Sequence, residues 1–344
     1  MLSPAEILAA NSVVTAPMAG LTDRAFRELL HDMGAGLVYT EMVSDMALCY
    51  GNRKTFGILN LAGEAAPVAV QLCGSDPVPM AGAARIIGEL AAETGNVVLL
   101  DINMGCPAPK IVKNGEGSRL MTDPELAARI VDAVVGAVSL PVSVKMRLGW
   151  DDEHKNVLDM AARMVDAGAQ MITIHGRTRQ QFYSGEADWS LIAEAADRLP
   201  VPVVGNGDIT SVEIAAARMK ETGCAGLMVG RGMLGNPWLI RDMVRHFAGQ
   251  PALPAPGREE ILAMALRHLR RQVELSGEYM AVRMMRAHLP FYIKGLRGSA
   301  AVRGRLNHLD TAAGVEQELT AFLTGEQAAD CETEPQNAIQ INAI

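Results

Sequence analysis

Aromatic residues make up only 4% of the 344-residue chain, while glycine (33 residues) and small apolar side chains are plentiful. That balance suits short strands alternating with Ala-rich helices better than a β-sandwich. The five cysteines (Cys49, Cys73, Cys106, Cys224, Cys331) are odd in number and form no CxxC pair. A disulfide framework or zinc site is therefore not expected, no metal is predicted, and a reducing, cytoplasmic setting is. No apolar run approaches ~18 residues, and the stretch around Glu6 lacks a basic region, so neither a membrane span nor export is expected. The chain also lacks an excess of basic residues, with a net charge of −8. That at first argues against a nucleic-acid partner.

The charge is unevenly distributed. Between Ala265 and His308 nine basic residues (Arg267, Arg270, Arg271, Arg283, Arg286, Lys294, Arg297, Arg303 and Arg305) face only Glu274 and Glu278. A basic module on an acidic body is an electrostatic footprint for a polyanion, although a solvated helix face can also be basic.

Apolar, β-branched runs recur at Val13–Met18, Gly36–Tyr39, Pro67–Leu72, Val97–Ile102, Pro141–Met146, Ala169–Ile174, Val201–Val204 and Ala225–Val229. Helix-like sequence separates them: Asp23–Met33 with Thr22 as N-cap, Met42–Leu48, Pro77–Glu93, a helix opening at Asp123–Pro124, and Asn156–Ala167. Eight βα units in about 240 residues predict an α/β fold, a (β/α)8 TIM barrel. A doubly wound sheet is the competitor, and it rarely uses eight such even repeats. The expected organisation is a barrel over 1–248, a Pro-rich linker over 249–257 (GQPALPAPG) and a small all-helical domain over 258–325. That domain would contain helices at Arg258–Ser276, Met280–Gly295 and near Gly314–Leu323. The polar, aperiodic stretch 326–344, with an idle Cys331, is expected to be disordered.

The ends of these runs carry polar or glycine residues: Pro17–Met18, Glu41, Gln71, Asn103 with Cys106, Lys145 with Arg147, His175 with Arg177, Asn206–Gly207–Asp208, and Gly230–Arg231. In a barrel these ends converge on one mouth. The fullest stretch is Asp101–Gly117, DINMGCPAPKIVKNGEG, where a strand leads into a Gly-Cys-Pro corner and a long polar loop. A cysteine there can donate a proton or act as a nucleophile. Read alone, it can equally be a small buried filler. The glycines after strands seven and eight suit a single phosphate. Gly230-x-Gly232-x-x-Gly235 matches the dinucleotide fingerprint in letters, but no second strand ending in an acid follows it.

In chain order, TAPMAGLTDRAFR (Thr15–Arg27), VQLCGSDP (Val70–Pro77), INMGCPAPKIVKNGEGSRL (Ile102–Leu120), VKMRLGW (Val144–Trp150), HGRTRQQFYSG (His175–Gly185), GNGDI (Gly205–Ile209) and VGRGMLGNPW (Val229–Trp238) resemble the blocks of the tRNA-dihydrouridine synthases. The resemblance runs from about Val13 to at least Tyr292 and is strongest to the bacterial B-type branch. It implies non-covalent FMN, NADPH as reductant, and tRNA held partly by the helical domain. It implies that Ala16, Pro17 and Met18 underlie the flavin ring, and that Gln71 and Lys145 bond its pyrimidine end. Asn206, Gly207, Asp208, Gly230 and Arg231 would hold its phosphate. Cys106 corresponds to the family's proton donor, His175 lies near flavin and substrate, and Asn103 lies near the uracil. Arg177 and Tyr183 match RNA- or loop-facing positions, while Arg147 matches a substrate-side or structural one. Arg283 and Arg286 belong to the expected RNA face. Glu116 stands where a small residue is more usual, and it and Arg119 are expected to pair with each other or to alter RNA contact.

Two other readings stand beside this one: an FMN barrel acting on a free pyrimidine, similar to dihydroorotate dehydrogenases, and a non-catalytic RNA-binding protein. A phosphate-binding aldolase-type barrel would instead use Lys145 as a Schiff-base lysine.

Overall fold

The computed structural model describes residues 2–65 and 67–325. Its strands are β1 (Val13–Thr15), β2 (Val38–Ser44), β3 (Val68–Cys73), β4 (Val97–Met104), β5 (Val142–Arg147), β6 (Met171–His175), β7 (Val203–Asn206) and β8 (Gly226–Val229). All neighbours pair in parallel, in the order β1-β8-β7-β6-β5-β4-β3-β2. The two ends of that order meet, because Val14 bridges Leu37 and the Thr15 N–H donates to the Leu37 carbonyl at 3.0 Å. The sheet is thus a closed (β/α)8 barrel, and the doubly wound alternative is set aside.

Period-two alternation along the strands divides the apolar residues between two cores. Val14, Tyr39, Ala69, Leu99, Met171, Val204 and Met228 form one cluster inside the barrel, and Ile7 and Leu8 join it. Those two come from a helix, Pro4–Ala10, which the run pattern did not anticipate. Its legible signal was the reciprocal capping box between Ser3 and Glu6. The larger cluster lies between the strands and the surrounding helices.

Several boundaries differ from expectation. The second strand continues through Ser44, whose hydroxyl caps a short helix at Asp45–Cys49, so Met42 and Val43 are strand residues. Asp23, not Thr22, caps the helix Arg24–Asp32, accepting the Phe26 N–H at 3.0 Å. Thr22 instead accepts the Met18 N–H at 3.0 Å, which fixes the turn after β1. The long loop after Cys106 contains a helical turn at Pro109–Lys113 and a 3-10 segment at Gly117–Thr122.

Arg258–Ser276 is one helix, as expected. The stretch expected as a single helix over Met280–Gly295 is divided into Glu278–Met285 and Leu289–Tyr292, the latter opening with Pro290 in its first turn. An unanticipated helix, Ser299–Leu306, precedes Ala312–Thr324. The expected disordered tail and Cys331 lie outside the described residues. Among the described residues no helix is long and apolar enough to cross a membrane.

The C-terminal helices seat on the barrel helix Arg24–Asp32 and its cap. His288 meets Asp23 at 3.3 Å, and His268 stacks on Phe26 with centroids 5.4 Å apart. Arg271 grips Glu28 through two hydrogen bonds, at 2.5 and 3.0 Å, and Arg267 pairs with Asp32. His268 also contacts the Tyr292 hydroxyl at 3.2 Å. The turn after β8 completes the seat. Gly235 has φ +64°, and a Cβ there would lie 2.2 Å from the Phe291 backbone. The last glycine of the fingerprint-like spacing therefore serves close packing.

Candidate active site

The mouth is built on a directional chain of side-chain hydrogen bonds. Asp101 and Asn103, two residues apart on β4, share its inward face. Asp101 accepts from Ser143 at 2.5 Å and from the Gln71 amide nitrogen at 2.7 Å. The Gln71 carbonyl oxygen accepts from the Asn103 amide at 2.7 Å, and the Asn103 oxygen accepts the backbone N–H groups of Gly105 (3.1 Å) and Cys106 (2.9 Å). Burial raises the Asp101 carboxyl to about 7, against the opposing pull of Gln71, Ser143 and Lys145. Both ends of the Gln71 amide are committed to this chain.

Cys106 is half-buried on the resulting corner. Burial pushes its thiol up, against smaller downward effects from the Ala108 N–H, Arg147 and Lys145. A thiol in that condition is protonated at neutral pH, as a proton donor must be. The Ser118 N–H and hydroxyl both donate to the Cys106 carbonyl, at 3.0 and 2.9 Å, and tie the returning loop to the corner. Glu116 and Arg119 do not pair through their side chains. Glu116 accepts from the Cys73 thiol at 3.5 Å, while the Arg119 guanidinium lies 5.3 Å from the Trp150 ring centre.

Across the mouth, strand register places Arg147, His175 and Asn206 in one row on β5, β6 and β7. Lys145 donates to the Asn206 side-chain oxygen at 3.1 Å, and Asn206 donates to the Met228 carbonyl at 2.7 Å. Burial first, and then Arg147, lower the Lys145 ammonium to about 8, so it still carries charge at neutral pH. Among the described residues no carboxylate lies within ion-pair distance of it. His175 is held well below its ordinary value by burial and the surrounding cations, and is therefore neutral.

Beyond β7, Asp208 adopts φ +52° and Gly207 φ +141°. A Cβ on Gly207 would lie 2.5 Å from that of Ala187. The Asp208 carboxylate is occupied by Arg177 at 2.8 and 2.7 Å, the Ala187 N–H at 2.8 Å and Arg231 at 3.4 Å. An anion would repel a phosphate, which leaves the Asp208 backbone, not its side chain, for one. Gly230 opens beside Ala16 and the Met18 sulfur, whose nearest atoms would be 3.7 and 4.0 Å from a Cβ at that position.

Comparisons with known proteins show the family. The family model described as dihydrouridine synthase (Dus) matches residues 14–327. The chain is 38% identical to a probable tRNA-dihydrouridine synthase of Rickettsia bellii over 94% of its own length and 98% of that protein. It is 40% identical to tRNA-dihydrouridine synthase B of Pseudomonas aeruginosa, over 88% and 90% of the two chains. It is 38% identical to tRNA-dihydrouridine synthase B of Pseudomonas putida, over 94% of each. The chain belongs to the dihydrouridine synthase family.

For a dihydrouridine synthase, the mouth gathers most of the residues singled out in the sequence. Arg147, expected as substrate-side or structural, and Arg177, expected to face RNA or a loop, are each only 2% exposed. Arg147 donates to the carbonyls of Gly105 (2.7 Å), Thr178 (2.9 Å) and Phe182 (2.8 Å). Arg177 donates to those of Ser184 (3.1 Å) and Gly185 (2.5 Å). Both shape the loop that carries Tyr183. That ring is exposed and lies 4.7 Å from the Arg231 guanidinium and 6.4 Å from the His175 ring. Arg283 and Arg286 sit among the C-terminal helices, where they share Asp310 at 3.5 and 3.1 Å. Sequence reasoning missed Ser143 and the part played by Asp101, whose one visible signal was a carboxylate inside an apolar strand.

Proposed function

We propose that this chain is an FMN-dependent tRNA-dihydrouridine synthase that reduces the C5–C6 double bond of uridines in tRNA, with NADPH as the reductant. The observation that carries the reading is a half-buried thiol, Cys106, held on a fixed corner at the same mouth as a half-buried cation, Lys145, that meets no carboxylate within ion-pair distance among the described residues. A partly buried ammonium is favoured by a nearby anion. Lys145 therefore suits the electron-rich pyrimidine edge of a reduced flavin. The cradle of Ala16, Pro17, Met18 and Gly230 suits a flat ring, and the backbone at Asn206–Asp208 with Arg231 suits its phosphate. The donor set fits FMN, and Gln71, which uses one amide N–H on Asp101 and accepts one hydrogen bond from Asn103, keeps a second N–H to offer.

When bound, reduced FMN supplies the hydride that reaches C6 of the uracil ring. Everything else falls to this chain. Cys106 holds a proton at Sγ and delivers it to C5, a general-acid contribution typically worth about 10²–10⁴ in rate. Asn103 orients the corner on which Cys106 sits. Neutral His175, with Asn206 beside it, offers hydrogen bonds to ring and substrate without adding charge. Tyr183 presents an aromatic face to a uridine turned out of its stack. On this reading residues 1–248 form the catalytic unit, and residues 258–325, after the 249–257 linker, contribute RNA contacts. A tRNA substrate makes the cytoplasm its setting.

The test is a positional map of dihydrouridine in tRNA from cells without this protein, complemented by wild type or Cys106→Ala. Loss at defined positions, restored by wild type alone, is the expected result. If the purified yellow protein reduced a free pyrimidine and left the tRNA pattern unchanged, the reading would give way to a dihydroorotate dehydrogenase-like one.

A further inference from the structure

The loop that returns past Cys106 brings a carboxylate with it. Gly117 has φ +60°, and a Cβ there would lie 2.9 Å from the Cys106 carbonyl oxygen and 3.0 Å from the Cys106 Cβ. Residue 117 therefore packs directly on the cysteine side chain, and Glu116 is its neighbour in the chain. The Glu116 backbone is pinned as well, its N–H donating to the Ile111 carbonyl at 3.2 Å. Its carboxylate is held by the Cys73 thiol at the end of β3. Arg119 is turned away onto Trp150, and among the described residues no cation pairs with Glu116.

Two cations on β5 also lie near the Cys106 corner. Arg147 is anchored to the Gly105 carbonyl at 2.7 Å, one residue before the cysteine, and Lys145 follows on the same strand face. Two cations with no carboxylate partner among the described residues favour thiolate in a thiol beside them, and a thiolate has no proton to give. Asp45, beside β3, adds negative charge near Cys73 and Glu116 and is itself raised to about 6 by burial and then by Glu116 and Asp76.

We propose that Glu116 is a positioning residue for the general acid: its carboxylate, held by Cys73, counterbalances Lys145 and Arg147 and keeps Cys106 in its proton-carrying form. The upward influence of Glu116 on the Cys106 thiol is consistent with this placement. The inference rests on the reading of Cys106 as the proton donor, but its test does not need uridine reduction.

The test uses the full-length, FMN-loaded protein. Alkylation of Cys106 by iodoacetamide is followed against pH by peptide mass spectrometry, with exposed Cys49 as internal reference. In Glu116→Gln the Cys106 profile should move to lower pH, with labelling at neutral pH rising on the order of fivefold, as expected for losing one nearby charge. Cys49 labelling, FMN content and melting temperature should not change. Glu116→Ala should give the same shift. The alkaline limb of the activity profile should move in the same direction in both variants. A Glu116→Gln profile superimposed on wild type would overturn the proposal. So would a shift in Glu116→Ala alone, because loop packing and not charge would then be responsible. If Cys106→Ala retained full uridine reduction, the functional reading would fail whatever the alkylation showed.

Discussion

The Asn103 side-chain oxygen accepts the Cys106 backbone N–H at 2.9 Å, so a strand residue sets the corner that presents the thiol. Asn103→Ala removes that acceptor and the donor to Gln71 together. Activity should fall by about 10²-fold with FMN still bound, because misplacing a reacting group by a fraction of an ångström is costly. Single-turnover rates with reduced enzyme check this. A normal rate with weakened tRNA affinity would mean that Asn103 acts only in binding.

The chain from Ser143 and Gln71 converges on Asp101, which accepts from both. Alanine at 101 would remove both acceptors, leave the Gln71 amide N–H and the Ser143 hydroxyl without them, and free Gln71 to rotate its oxygen away from Asn103. Asp101→Ala should therefore disturb the cysteine corner from two residues away. The expected signature is a kcat loss of about tenfold or more with nearly unchanged flavin content, measured by steady-state assay and absorbance.

His268 is fully buried, and burial, with His288 nearby, lowers its imidazole to about 3. An exposed, unfolded histidine titrates near 6.5, so between these values the unfolded chain binds a proton that the folded chain refuses. Stability from this group is present above about 6.5 and is lost as pH falls from there toward 3, by up to about 1.4 kcal/mol per pH unit. Asp23, whose burial is outweighed by His288, His268 and the Phe26 N–H so that it too is lowered, adds loss in the same direction at the acid end. Thermal melts of His268→Gln should show a flatter decline than wild type between pH 6.5 and 4.5. Parallel curves would exclude the imidazole as the source.

Arg283 and Arg286 share one carboxylate, so their availability to RNA depends on Asp310. Reversing both charges should weaken tRNA binding by roughly tenfold at low salt and reduce its salt dependence. Asp310→Asn, which removes the negative charge that both guanidinium groups share, should strengthen it. Filter binding across a salt series distinguishes these outcomes, and equal affinity in all three proteins would remove this face from the RNA contact.

Where the determinants are local, the sequence was legible. The eight strands, the glycines at the mouth and the Cys106 corner are written in short-range alternation and turn chemistry. Cap choice was not, because Thr22 and Asp23 are both good acceptors and only the Met18 N–H, held by Thr22, decides between them. The break within 280–295 was marked by Pro290, which sits in a first turn after His288 and not inside one long helix. The count of arginines could not show that Arg283 and Arg286 lean on Asp310, nor that Arg147 and Arg177 turn inward onto carbonyls. Asp23, His268 and His288 meet from opposite ends of the chain, and no local pattern announces that meeting.

The C-terminal helices take their seat from one barrel helix through Asp23, Phe26, Glu28 and Asp32. Four attachments along a single rod leave little freedom to pivot about the linker. Whatever those helices grip is held at a set distance and angle from Cys106, much as a jig holds a workpiece before a fixed tool. If those helices contribute RNA contacts as proposed, the base that reaches the thiol is selected by the length of RNA between grip and mouth. A shift of that seat by one helical turn would redirect the same chemistry to a different nucleotide.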